Sequence, residues 1–328
     1  MMEDAATGSL KPFEFEHLLD AVPELRRFNF QIDSVSFEEP IDSSDVSIAS
    51  WQKMAKLIEV NYMYYDGFVV LHGTDTMSYS ASALSFMLEN LSKPVIFTGS
   101  QLPIGKLRTD GKDNLITAIE IAAAKKGDTA IVQEVCIYFE SQLFRANRTH
   151  KYNTENFDAF KSANFPALAN AGVHIFYSHD LLLKPDGAFT LKDSLDNNVA
   201  VLKIFPGISE NLMRGILGVP GLKAVVMETY GSGNAPRDEW FINTLKQAIE
   251  KGILILNISQ CNQGYVEQGR YETSAGLSRI GVVAGADMTT ESALVKLMFL
   301  LGQGLTGENL RTQVSISLRG ELTDYSVL

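Results

Sequence analysis

Short apolar runs recur along this chain with one helix-length stretch between each and the next, and that rhythm limits the available folds more than any other feature. Phe68-Val-Val-Leu71 follows the turn signal Asp66-Gly67 and precedes Gly73, after which Ser78 to Leu91 has helical character. Lys93 to Thr98 repeats the strand pattern, Gly99-Ser100 breaks it, and Asp113 to Lys125 reads as an amphipathic helix. Glu134 to Phe139 makes a further strand. Strands alternating with helices at this spacing predict an α/β fold built on a parallel sheet with helices on both faces.

The rhythm is interrupted twice. Residues 140 to 165, rich in Asn, Arg and Thr, read as an irregular excursion, and 183 to 197 has the Pro, Gly and Asp of a linker. Beyond it, strands at Val199 to Phe205, Lys223 to Met227 and Ile253 to Ile258 alternate with helices near 209 to 216 and 237 to 251. The predicted organisation is a larger N-terminal parallel-sheet domain over 1–185, a linker over 186–198 and a smaller C-terminal α/β domain over 199–328. No repeat of fixed period and no low-complexity tract is present.

Composition removes several classes of function. The formal net charge is −11, and no Lys/Arg-rich run concentrates positive charge as a phosphate backbone requires, which argues against nucleic acid as a partner. Apolar runs such as Phe68 to Leu71 fall far short of the ~20 residues of a bilayer span. Cys136 and Cys261 form neither a disulfide framework nor a CxxC pair, which fits a reducing compartment and a cytoplasmic location. The N-terminal stretch opens with acids and lacks the basic and apolar regions of a secretory signal. The five histidines make no HxH or HExxH pair, so a metal enzyme is not expected.

Open α/β sheets hold ligands beyond the carboxyl ends of their strands, which directs attention to His72-Gly-Thr-Asp-Thr-Met77. Gly73 permits a sharp turn, while Thr74 and Asp75 project from a strand end toward a helix N-terminus that favours anions. The plain alternative is a helix cap, for which Thr and Asp are common. Asp42-Ser-Ser-Asp45 offers hydroxyls and amides to a zwitterion, and an Asx or Ser turn explains it as well. In Arg148-Thr-His-Lys151, a lysine held away from water could serve as a base, although such lysines are usually solvated charges. Tyr230-Gly-Ser-Gly-Asn234-Ala-Pro236 allows close backbone approach, and Cys261 has no histidine paired with it in sequence. His72 reads as a packed or cap-adjacent side chain.

The run Tyr65 to Met77, continuing through Ser82 to Asn90, resembles the bacterial L-asparaginases, in particular their cytoplasmic type I branch. The resemblance extends through Lys93 to Gln101, Arg145-Ala-Asn-Arg-Thr149 with Lys151, Tyr230 to Pro236, Gly285-Ala-Asp-Met-Thr289 and Leu318-Arg-Gly-Glu-Leu-Thr323, and so covers nearly the whole chain. It implies hydrolysis of L-asparagine to L-aspartate and ammonia through a threonine nucleophile and an acyl-enzyme, without cofactor. It further implies that Thr74 is the family's second catalytic threonine, Asp75 its aspartate and Lys151 its lysine. Asp42, Ser43 and Ser44 would cradle the α-amino and α-carboxylate groups, with Asp75 meeting the α-ammonium. A homodimer or homotetramer is implied, in which Asn234 reaches a neighbouring subunit's site.

Two departures qualify that expectation. The family's primary nucleophile stands in a Thr-Gly-Gly-Thr-Ile-Gly motif closing a first strand, and this sequence contains no such motif. It matches from just after the motif, at a flap holding Thr7, which does not correspond to the nucleophile. The chain as written is therefore expected to be nearly inactive, with unpaired edges beside the lost strand. Second, Cys261 matches a residue of the type I allosteric asparagine site, but His150 and Glu228 replace a threonine and an arginine there. A glutamate repels a ligand carboxylate where an arginine pairs with it, which argues against such regulation. The competing readings are an asparaginase-like component of a tRNA-dependent amidotransferase and a non-catalytic amino-acid-binding pseudoenzyme.

Overall fold

The computed structural model describes residues 21–267 and 272–325, together with the short paired strands Met2–Glu3 and Leu10–Lys11. It divides into two compact units, one of residues 1–84, 88–162 and 167–191, the other of residues 85–87, 163–166 and 192–328. No helix among the described residues is long and apolar enough to cross a membrane.

The first unit is built on a six-stranded mixed sheet. Its strands are β1 (Phe68–Leu71), β2 (Val95–Thr98), β3 (Val135–Phe139), β4 (Gln142–Arg145), β5 (Ala169–Ala171) and β6 (Ile175–Tyr177), which lie in this order from one edge to the other. β1, β2 and β3 are parallel, joined by helices α2 (Met77–Met87) and α3 (Gly111–Ala123), while α1 (Ile48–Asn61) precedes β1. The apolar runs read from sequence became the strands because a parallel strand covered on both faces has no polar side to show. Val95, Ile96, Phe97, Cys136 and Ile137 are accordingly all fully buried.

The sheet is parallel over only half its width, because the stretch read as an irregular excursion begins with a strand. Glu140 and Ser141 form a two-residue turn with φ of 41° and 67°, so β4 can only return antiparallel to β3. The residue types do not signal it, since two-residue hairpin turns of this hand ordinarily carry Asn-Gly or Asp-Gly. Further along the same stretch, His150–Lys151 pairs antiparallel with Phe160–Lys161. At the opposite edge, β1 has no second strand beside it among the described residues, and Leu71 is 53% exposed.

The second unit carries a four-stranded parallel sheet of β7 (Val199–Lys203), β8 (Ala224–Thr229), β9 (Leu254–Ser259) and β10 (Val283–Ala284), in sequential order. Helices α4 (Glu210–Leu217), α5 (Glu239–Glu250) and α6 (Glu272–Ile280) supply Met213, Leu217, Phe241, Leu245 and Leu277 to a core shared with Val225, Met227 and Ile255. Helices α7 (Thr290–Gly302) and α8 (Gly307–Ser315) complete the unit. Within α7, the fully buried Lys296 pairs with the fully buried Glu321 at 2.6 Å. Its remaining donors reach the carbonyls of Val314 and Ile316 at 2.9 and 2.5 Å.

Candidate active site

The site begins where β1 ends. Gly73 is a packing requirement there, because a Cβ on it would stand 2.5 Å from Ser43 Oγ. The Asp42–Asp45 turn is therefore pressed directly onto the strand end, and Thr76 Oγ1 fastens it by donating to Ser43 O at 2.6 Å. Within the turn, Asp42 Oδ1 accepts from Ser44 N at 2.9 Å and Ser44 Oγ at 2.8 Å. Those bonds, the backbone one foremost, hold the Asp42 carboxyl below its usual range. The turn reading of this cluster is thus correct for Asp42 and Ser44, and the same turn sets Ser43 against the His72-Gly-Thr-Asp segment.

Lys151 arrives from the short hairpin that pairs with Phe160–Lys161. Its Nζ donates to Thr74 Oγ1 at 2.8 Å and to Asp75 Oδ1 at 2.5 Å. Its side chain is mostly buried, whereas that of Asp75 is mostly exposed. The three residues singled out from sequence therefore meet, although Lys151 lies 77 positions from Thr74. Thr74 and Asp75 do not cap α2: Thr76 holds the N-cap position and makes no side-chain cap bond.

Sequence reading missed Gln101 as a member of this group. Thr74 Oγ1 donates to Gln101 Oε1 at 3.1 Å, and Gln101 Nε2 donates to the carbonyls of Asn153 and Asn156 at 3.4 and 3.1 Å. The carboxamide thus orients the Thr74 hydroxyl and ties it to the loop after Lys151. Its one sequence signal was its place immediately after the Gly99-Ser100 break that ends β2. His72 Nδ1 contacts Gly73 O at 2.7 Å, which requires the Nδ1–H tautomer, and burial lowers its affinity for a second proton.

Asn234 and Cys261 lie in the second unit, beyond the carboxyl ends of β8 and β9. Asn234 closes a tight turn with Tyr230 through paired backbone bonds of 3.0 and 2.8 Å, between glycines at positive φ. Cys261 is an exposed free thiol. Glu228 accepts from Thr290 Oγ1 at 2.7 Å and pairs with Lys203 at 3.3 Å, so its carboxylate is already engaged. Thr7 lies outside the described residues. Among the described residues, no group of three or more His, Cys, Asp or Glu side chains is arranged to hold a metal ion.

A strand-end threonine hydrogen-bonded to a lysine, itself paired with a carboxylate, is equipment for activating a hydroxyl. Residues 1–182 match the family model "Asparaginase, N-terminal", and residues 198–313 match "Glutaminase/Asparaginase C-terminal domain". The chain belongs to the asparaginase family. It is 44% identical over 310 residues to L-asparaginase 1 of Escherichia coli K12, a match covering 93% of this chain and 89% of that one. The crystal structure of L-asparaginase I from Vibrio cholerae superposes with a TM-score of 0.87 at 41% identity, covering 94% of this chain and 92% of that one. A component of the glutamyl-tRNA(Gln) amidotransferase of Pyrococcus abyssi is 33% identical over 336 residues, 98% of this chain and 74% of that protein. This superposition identifies the α/β architecture of the chain, a larger mixed-sheet unit and a smaller parallel one, as asparaginase-like.

Proposed function

We propose that this protein is an amidohydrolase that converts L-asparagine to L-aspartate and ammonia, and that Thr74, Asp75 and Lys151 carry the proton transfers. The observation that supports this most directly is the Lys151 Nζ donating to both Thr74 Oγ1 and Asp75 Oδ1. A hydroxyl attacks the side-chain carboxamide, ammonia leaves with a proton relayed through Lys151, and water releases aspartate from the acyl-enzyme. Backbone N–H groups at the β1 end would stabilise the oxyanion. The Asp42-Ser43-Ser44 turn, pressed onto the same strand end, would receive the α-carboxylate and α-ammonium together with Asp75.

The sequence holds no Thr-Gly-Gly-Thr segment, so Thr74 is the hydroxyl in contact with Lys151 among the described residues. In this reading Thr74 is the relay hydroxyl, and a second hydroxyl carries the acyl group. The chain's assembly would be a homodimer or homotetramer, with Asn234 directed to a neighbouring subunit. Ammonia release from L-asparagine tests the reading directly, with the chain as given compared against one bearing a Thr-Gly-Gly-Thr strand ahead of it. Turnover only in the second supports the assignment. Comparable turnover in both makes Thr74 the nucleophile, and none in either favours an amino-acid-binding role.

The amidotransferase reading draws on the Pyrococcus abyssi match and uses the same residues to release ammonia for a partner. The pseudoenzyme reading is weaker, because a binding protein has no use for a lysine held against a threonine hydroxyl.

A further inference from the structure

Asp110 stands immediately before α3, where an aspartate ordinarily accepts a hydrogen bond from the first turn of its own helix. Its carboxylate makes no such bond, and the Gly111 N–H is taken instead by Thr109 Oγ1 at 3.0 Å. Both Asp110 oxygens turn to the loop that follows β2. They accept from Gln101 N at 3.1 and 3.0 Å, and one also accepts from Leu102 N at 3.1 Å.

A second residue of α3 supports the same loop. Buried Asn114 donates through Nδ2 to Asp110 Oδ2 at 3.2 Å and to Gly99 O at 3.0 Å. Its Oδ1 accepts from Glu140 N at 3.2 Å, at the turn where two non-glycine residues hold positive φ. Gly111 brings the helix close, since a Cβ there would meet Ser100 Cβ at 3.1 Å. The start of α3 is thus built around residues 99–102, and within them around the backbone of the residue whose carboxamide meets Thr74.

We propose that Asp110 is a positioning residue for the reaction, acting through Gln101 to set the direction of the Thr74 hydroxyl. A charged acceptor on the Gln101 amide fixes that residue's backbone, and its carboxamide is then aimed at Thr74 by its bonds to Asn153 and Asn156. Asn114, from the next turn of α3, donates to the same carboxylate and to Gly99 O and so holds it against the loop. The kinetic part of this inference rests on the amidohydrolase reading, while the geometric part does not.

A double-mutant cycle separates positioning from general support. In whichever form of the enzyme turns over asparagine, Asp110→Ala is expected to lower kcat about tenfold with KM little changed. In a Gln101→Ala background the same substitution is expected to cost less than about twofold, because the link it acts through is already gone. Asp110→Asn, which keeps an acceptor oxygen, should restore most of the rate. Effects of Asp110→Ala and Gln101→Ala that simply multiply would overturn the proposal, as would a loss in Asp110→Ala matched by a fall in melting temperature and unrelieved by Asn. The Gln101 carboxamide proton signals, read by 15N NMR in the chain as given, need no turnover. They should shift and lose exchange protection in Asp110→Ala, and unchanged signals defeat the proposal. If asparagine is not hydrolysed by any form, the amidohydrolase reading fails, and the NMR comparison still decides the role of Asp110.

Discussion

Lys151 Nζ sits 2.8 Å from Thr74 Oγ1 and 2.5 Å from Asp75 Oδ1, donating to both. One side chain thus joins the Thr74 hydroxyl to the Asp75 carboxylate, and removing either Thr74 or Lys151 breaks the same link. The two residues therefore work as a unit. Thr74→Val and Lys151→Met are each expected to lower kcat about 10³-fold, and the double variant by little more than either single one. Ammonia release from L-asparagine measures all three, in the form of the enzyme that turns over. Multiplicative losses would show that the contact does not serve catalysis.

The outer edge of β1, unpaired among the described residues, is expected to drive self-association. Phe68 N donates to Pro94 O and His72 N to Thr98 O, which turns the even-numbered amides toward β2 and those of Val69 and Leu71 outward. No charge or proline interrupts Phe68-Val-Val-Leu71, so the edge has none of the usual protection against pairing with another chain. Leu71→Lys should shift sedimentation-velocity profiles at high protein concentration toward the smaller species. Identical profiles would place any association elsewhere on the surface.

How much of this was legible beforehand follows from which signals are local. β1 was read at its observed ends because its apolar run is bounded by turn residues, and α5, read near 237 to 251, lies at Glu239–Glu250 because it buries a periodic apolar face. The antiparallel half of the first sheet was hidden because Glu140-Ser141 adopts a turn its residue types do not advertise. Thr74, Asp75 and Lys151 were each singled out from their own segments, but only the resemblance to a known family joined them, since no local rule brings residues 77 positions apart together. Gln101 and Asp110 escaped for a different reason. Glutamine after a strand is unremarkable, and an aspartate before a helix reads as a cap, a role the geometry here gives to Thr109.

The Glu140-Ser141 turn also predicts a gain in stability. Both residues hold the left-handed conformation, which disfavours a Cβ by about 1 kcal/mol or more each. Partial burial and the neighbouring Asp158 and Asp110 also push the Glu140 carboxyl above its usual range. Glu140→Asn with Ser141→Gly fits the same turn with its preferred residues and removes that charge. The pair should stabilise the protein by about 1 kcal/mol, read as a higher urea midpoint, provided the Asn114 bond to residue 140 is kept. A lower midpoint would mean that the Glu140 side chain contributes more than its backbone strain costs.

Glu321 sets an acid limit on the fold. Burial works against its charge, but Lys296 and the Leu318 and Arg319 amides outweigh that and hold its carboxyl below the usual value of 4.5. A carboxyl lowered on folding contributes stability that is fully present above its unfolded pKa and is lost as pH falls through the folded value. Melting temperature should therefore drop as the pH is taken from 5 toward 3, in part through this one group. Glu321→Leu alone leaves the Lys296 ammonium buried without its counter-charge and is expected to cost about 3–5 kcal/mol at neutral pH. Lys296→Met combined with Glu321→Leu removes both charges and should recover most of that loss. The double variant should also lose less melting temperature between pH 5 and pH 3 than the wild type does. An equal acid loss in the two proteins would assign the acid limit to other carboxylates, and a double variant no more stable than Glu321→Leu would show that the pair contributes chiefly through shape.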